Sequence, residues 1–223
     1  IYPKASKIVV QTEGIKSYFT SFIPNDKIAI IKNPLATNFI VDSSVVKEKI
    51  VLNVGRLNFQ KNQELLINAF SNVNNNDWKL IIIGKGSRLR EHQKLIKELR
   101  MEHKVEIINN VTNMSAFYNK ASIFASTSDY EGFPNALTEA MHFGLPCIAT
   151  DCPSGPSELI KDGENGFLIP IKNQVELQKK LELLMSNINL RNKLSDKALV
   201  STAQFGVDVI AQQWKDLINN LKS

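Results

Sequence analysis

The sequence predicts an α/β fold, a doubly wound parallel sheet followed by a helical tail. Three observations predict it. Short β-branched runs alternate with helix-periodic segments, most regularly from Ile50 to Ile169. Two of the runs, Val51-Leu52-Asn53-Val54 and Leu80-Ile81-Ile82-Ile83, are almost continuously apolar, as strands buried on both faces should be. The residues just after the runs are rich in Gly, charge and hydroxyls, and in such sheets ligands sit outside the carboxyl ends of the strands.

Taken in order, strands are expected at Lys7–Gln11, Ile28–Ile31, Ile50–Val54, Lys79–Ile83, Val105–Ile108, Ser122–Ala125, Pro146–Thr150 and Gly166–Ile169. Helices are expected near Thr12–Phe22, Gln63–Ser71, Ser87–Met101, Asn113–Asn119, Pro134–Phe143, Pro156–Lys161 and Val175–Met185, with two more after Leu190. Asn33-Pro34-Leu35 breaks the chain before a polar stretch at Asp42–Lys49. Residues 1–22 read as the edge of another unit, and residues 173–223 carry no strand signal. Asn72–Asn76 is a polar loop, and no internal repeat is visible.

With 223 residues, 43% hydrophobic and 22% charged, the chain can bury a substantial core and is neither disordered nor fibrous. No apolar run approaches the ~20 residues that span a bilayer. The chain opens on Ile1 without a signal-peptide pattern, so it reads as processed or as a piece of something longer. Cys147 and Cys152 are expected to be reduced thiols in a cytoplasmic protein. Three histidines and two scattered thiols make no metal-ligand spacing. The +5 net charge is densest in Lys85–Lys104, on one side of an amphipathic helix. A solvated basic face is the expectation there, with weak contact to an anionic membrane surface the sharper reading. Aromatics are not interleaved with the cations, which argues against nucleic acid.

Four segments carry chemistry. Gly55 turns the backbone after a buried strand, and Arg56 and Lys61 project toward the strand ends, where a guanidinium fork and an ammonium suit phosphate oxygens. The run is no P-loop, because Gln60 stands where the second Gly is needed. Gly84-Lys85-Gly86 lacks the third Gly of a dinucleotide fingerprint, Leu89 standing in its place. It admits a flat base or a backbone segment at close range. In Glu131-Gly132-Phe133-Pro134-Asn135-Ala136-Leu137-Thr138-Glu139, Pro134 fits the first helical position. Phe133 then makes a poor N-cap, leaving helix N–H donors for an anion. Glu139 lies about 7 Å further along the helix, within reach of a ribose, and Glu131 precedes the helix, where a carboxylate accepts sugar hydroxyls. Finally, Asp151–Glu158 opens a helix at Pro156 beside the Glu131 loop. Glu158 is expected to brace that loop, and His142 to be packed rather than catalytic.

In this order the elements resemble retaining glycosyltransferases of family 4, which have the GT-B fold. Val54-Gly55-Arg56-Leu57 with Lys61-Asn62 resembles that family's Gly-Arg-Leu…Lys segment. Glu131 to Glu139 resembles its Glu-x7-Glu motif, and Gly155-Pro156-Ser157-Glu158 its Gly-Pro-x-Glu turn. The resemblance implies a Rossmann-like domain at residues 23–204 that binds a nucleotide diphosphate sugar, UDP-linked by expectation. It makes residues 1–22 the remnant of an N-terminal acceptor domain, and residues 205–223 a helix that crosses back to it. It implies transfer of a hexose or N-acetylhexosamine, with retention, to a glycan or lipid-linked acceptor at the cytoplasmic face of the membrane. Arg56 and Lys61 would neutralise the diphosphate, Glu131 would hold the sugar, and Gly132, Phe133, Pro134 and Asn135 would lie against the donor. Glu139 would bind the ribose, while Gly55, Gly84, Gly86, Asn110 and Val111 would line the base. No cofactor or metal is implied, in keeping with the lack of an Asp-x-Asp run. A nucleotide-sugar epimerase of similar fold and a non-catalytic sugar-nucleotide-binding module stay open. A glycosidase using the two glutamates leaves Arg56 and Lys61 idle.

Overall fold

A computed structural model describes residues 2–74 and 77–221, so Ile1 and the Asn75-Asn76 part of the expected polar loop lie outside the described residues. Six parallel strands form the main sheet: β3 (Ile50–Val54), β4 (Lys79–Ile83), β5 (Val105–Ile108), β6 (Ile123–Ser126), β7 (Cys147–Thr150) and β8 (Phe167–Ile169). Their spatial order is β5-β4-β3-β6-β7-β8. The chain winds outward from β3 in one direction through β4 to β5, then returns to the other side of β3 with β6. The strand order therefore reverses between β3 and β6, and the crevice of a doubly wound sheet opens at that point.

The apolar runs work as buried strands because alternate residues face two separate cores. On one face Val51, Leu80, Ile82, Ile123 and Ile148 pack against Leu66 and Phe70 of α2 (Gln63–Ser71), Ile96 of α3 (Leu89–Glu98), and Leu177, Leu181 and Leu184 of α7 (Gln174–Ser186). On the other, Leu52, Ile81, Ile83, Phe124 and Ala149 meet Tyr118 of α4 (Met114–Lys120), Leu137, Ala140 and Met141 of α5 (Asn135–His142), and Ala198 of α8 (Ile188–Ser201). Asn113, Asn173 and Asn187 each cap a helix by accepting a backbone N–H, from Ala116, Glu176 and Leu190 respectively. The basic side of α3 is solvent-facing at Arg90, Lys94 and Lys97, while His92 and Ile96 are buried.

A second unit precedes the main sheet. β1 (Ile8–Val10) pairs in parallel with β2 (Ile28–Ile30) across α1 (Glu13–Phe19). The boundary expected after residue 22 divides this unit: β2 joins β1, not the large sheet. Its small core is Ile8, Val10, Ile23 and Ile28. α6 (Pro156–Leu159) links β7 to β8, and the tail after β8 runs through α7, α8 and α9 (Val207–Asn220), with Phe205 buried just before α9.

Candidate functional site

The loops that leave β3 and β6 at the reversal point are sewn together. The Asp129 N–H donates to the Gln60 carbonyl at 2.8 Å, the Gln60 amide to the Tyr130 carbonyl at 2.9 Å, and the Asn62 amide to the Asp129 carboxylate at 3.0 Å. The Thr127 hydroxyl meets the carbonyls of Lys61 and Asn62 at 3.0 and 2.9 Å. This stitching brings two of the sequence-predicted groups into contact. The Lys61 ammonium lies 2.5 Å from Glu131 Oε1, with side chains only 20% and 6% exposed. The same carboxylate oxygen accepts from the Ser128 hydroxyl at 2.6 Å. Glu131 Oε1 is thus doubly held, and Oε2 is the oxygen available to a ligand hydroxyl.

Arg56 is exposed and lines a cleft of about 430 Å³ with Gly55, Gly84, Lys85, Asn110, Val111 and Met114. The Gln63 amide donates to the Arg56 carbonyl at 3.0 Å and sets the loop that presents the guanidinium. Asn110 turns the cleft wall in the left-handed region, at φ 58°. The glycines here serve the chain's own backbone. A Cβ at Gly84 would lie 1.9 Å from the Gly55 carbonyl oxygen, and one at Gly86 2.2 Å from that of Leu57. Of the two readings of Gly84-Lys85-Gly86, the close neighbour is therefore the β3 loop. Gly84 also lines the cleft, and Gly86 is not among its lining residues.

The α5 start differs from expectation by one residue. Pro134 is the N-cap and the helix begins at Asn135. Pro134 has no side-chain acceptor to offer, as foreseen for Phe133, yet the N–H donors are less free than predicted. Asn135 donates to the Phe133 carbonyl at 3.0 Å, and Leu137 and Thr138 donate to the Pro134 carbonyl at 3.0 and 3.1 Å. Phe133 is half-buried, its ring edge-on to Phe205 at 5.9 Å between centroids. Pro134 is buried, and a Cβ at Gly155 would meet it at 2.6 Å, so the Gly155-Pro156 turn does pack beside the Glu131 loop. Glu158 braces a different element from the one expected: its Oε1 accepts from the Gly14 N–H of α1 at 3.3 Å.

Glu139 lines a second cavity, of about 550 Å³, together with residues 33–38, Asn135 and Val207. Asn33 donates to the Asn135 side-chain oxygen at 3.0 Å across its wall. Burial pushes the Glu139 carboxyl above its ordinary value, and a 2.8 Å hydrogen bond from the Tyr118 hydroxyl opposes that shift. His142 is half-buried against Phe143 at 5.8 Å, with its pKa lowered by burial. Both cysteines are buried and unpaired. The Cys152 thiol is pushed up to about 11, by burial first and the nearby Glu131 charge second. Among the described residues no three His, Cys, Asp or Glu side chains come together as a metal site.

Sequence reasoning missed Ser128, Tyr118 and the 33–38 segment. Ser128 stood in the loop after β6, where every polar residue is a candidate. Tyr118 gave no signal, because its partner is 21 residues away on another helix.

Compared with known protein families, residues 37–200 match Glycosyl transferases group 1. The chain belongs to that family. This group 1 chain is 34% identical, over 98% of its length, to the amylovoran biosynthesis glycosyltransferase AmsD of Erwinia amylovora. It is 30% identical, over 100%, to a Campylobacter jejuni α-1,4-N-acetyl-D-galactosaminyltransferase that acts on an undecaprenol-diphosphate-linked glycan. It spans 63% and 62% of those two proteins. Among solved structures, it superposes on a TarM mutant of S. aureus, crystallised with UDP, α-GlcNAc-glycerol and Fondaparinux. The TM-score is 0.89 at 27% identity, covering 97% of this chain and 44% of that one. The group 1 domain is therefore a Rossmann-like GT-B unit with a helical tail, and its relatives are transferases. None of its described helices is long and apolar enough to cross a membrane.

Proposed function

We propose that the chain is the donor-binding half of a retaining glycosyltransferase. It takes a hexose or N-acetylhexosamine from a UDP-linked sugar and passes it to a glycan or lipid-linked acceptor. The observation that carries this reading is the Lys61–Glu131 pair at the sheet's reversal point, in a chain that also carries the Arg56 cleft and the Glu139 cavity. A nucleotide diphosphate sugar, which runs from base through ribose and diphosphate to sugar, needs groups of those three kinds. The base enters between Gly84 and Asn110-Val111, and the ribose hydroxyls reach Glu139. The diphosphate meets the Arg56 fork, the Lys61 ammonium and the α5 start, where Gly132 and Phe133 bring backbone N–H groups and Pro134 and Asn135 lie against the donor. Glu131 Oε2 accepts hydroxyls of the sugar while Oε1 stays with Ser128 and Lys61.

The bond from the anomeric carbon to the diphosphate oxygen breaks, the bond to the acceptor oxygen forms on the same face, and the acceptor hydroxyl's proton passes to the leaving diphosphate oxygen. Charge grows on the leaving diphosphate, and Arg56 and Lys61 stabilise it there, the role a metal ion plays elsewhere. No metal or cofactor is called for. The acceptor is held by the part of the protein outside this chain, working at the cytoplasmic face of the membrane with the α3 basic face toward anionic lipid. Nucleic acid is not a partner.

Calorimetric titration tests the reading. UDP is expected to bind, and Arg56→Ala to weaken it by about tenfold or more, the usual loss for a charge-assisted phosphate contact. Equal UDP affinity in the wild type and the Arg56 variant would overturn it.

A further inference from the structure

We infer that Tyr118 is a positioning residue for the donor: its hydroxyl fixes one oxygen of Glu139 and so turns the other toward the ribose. The inference rests on the proposal that Glu139 meets the ribose.

Tyr118 is fully buried on α4. Its ring is stacked on Phe143 at 5.0 Å and 20°, with Phe39 edge-on at 6.0 Å and Phe124 at 6.4 Å. Held on three sides, the ring has one place for its hydroxyl, and that place is 2.8 Å from Glu139 Oε2. The direction of transfer is settled. Burial, and then the Glu139 charge, push the phenol pKa well above its usual value, so Tyr118 stays a donor. An ionised carboxylate only accepts, so with Oε2 engaged, Oε1 is the oxygen left for a ligand hydroxyl in the Asn33–Asn38 cavity. A glutamate on a helix face has three side-chain torsions to order. An immobile partner ordering them beforehand removes part of the cost of binding. The hydrogen bond also favours the ionised carboxylate against the burial that disfavours it. The Glu-x7-Glu pattern names Glu139 and is silent about Tyr118, which the fold brings to it from a different helix.

The test compares UDP with 2′,3′-dideoxy-UDP, which lacks the ribose hydroxyls, by calorimetry on the whole protein. Tyr118→Phe keeps the stacked ring. It is expected to weaken UDP by about tenfold, the effect of one hydrogen bond to a charged group, and to leave the dideoxy analogue unchanged. The pH below which UDP binding falls off is expected to move upward, because the carboxylate has lost a stabilising donor. Equal weakening of both ligands would mean that Tyr118 acts only by packing, and no weakening would mean that it does not act at all. Either result overturns the inference. Glu139→Ala separates the two claims. If it discriminates between the ligands and Tyr118→Phe does not, the inference alone falls. If it does not discriminate, the ribose reading falls and takes the inference with it.

Discussion

Replacing Lys61 with Met removes the cation from a nearly buried carboxylate while keeping the aliphatic stem that packs on Gly55. Glu131 has 6% of its side chain exposed, so it cannot turn to water, and Ser128 becomes its one side-chain donor. Breaking a fully buried pair typically costs about 3–5 kcal/mol, and breaking an exposed pair about 0–1 kcal/mol. Lys61 keeps 20% exposure, which places this pair near the buried end. We expect a loss of about 2–3 kcal/mol, or roughly 5–10 °C in Tm for a domain of this size. Lys49 and Asp77, 59% and 69% exposed, form the internal control, and Lys49→Met should cost under about 1 kcal/mol. Urea unfolding followed by circular dichroism measures all of these. In the double variant Lys61→Met/Glu131→Gln the stranded charge is gone, so more than half of the loss should return. A Lys61→Met protein as stable as the Lys49→Met one, or strictly additive effects in the double variant, would refute the reasoning.

Gly84→Ala should destabilise by about 3 kcal/mol, because its Cβ meets the Gly55 carbonyl, which belongs to backbone and cannot swing aside. Gly163→Ala, at φ 74° with nothing within 4 Å, should cost about 1 kcal/mol of backbone strain alone, and thermal unfolding compares the two. Neither Cys147 nor Cys152 should react with a thiol reagent at pH 8 in the folded protein, since burial raises both pKa values, and both should react in urea. Rapid labelling of either in the folded state would contradict the burial. Glu139→Gln should raise stability at pH 7. The folded-state pKa of Glu139 is raised, so its ionised form is penalised by folding, and that penalty is present above the pKa and absent below it. The gain over wild type should therefore shrink as pH falls through the raised value, while UDP binding is weaker throughout. A pH-independent difference in unfolding free energy would show that the carboxyl's charge is not the cause.

Most of the sheet was legible because its strands are buried on both faces. Val51–Val54 and Leu80–Ile83 leave no helical alternative at that length, and their boundaries came out as read. The start of α5 was misplaced by one residue, since proline suits both the cap and the first turn and only the backbone angles decide. The pairing of β2 was not legible for a different reason. Ile28–Ile30 is a short apolar strand, and nothing local says which sheet a strand will join. The site divides in the same way. Arg56, Lys61 and Glu131 stood out as candidates because each lies in a loop that follows a strand, and Glu139 because of its spacing from Glu131 along α5. Their mutual arrangement was not legible, because Lys61 finds Glu131 across 70 residues, and Ser128 and Tyr118 matter only through those contacts. The glycine pair was seen and partly misjudged: Gly84 and Gly86 make room chiefly for the neighbouring loop.

The central claim is that this chain holds a nucleotide diphosphate at the reversal point of its sheet. Titrating UDP into the folded protein tests it most directly. The account predicts saturable binding of one UDP per chain, weakened by Arg56→Ala and by Glu139→Ala and unchanged by Lys49→Met, which lies far from the crevice at the opposite end of β3. A folded sample that binds neither UDP, GDP nor ADP would contradict it.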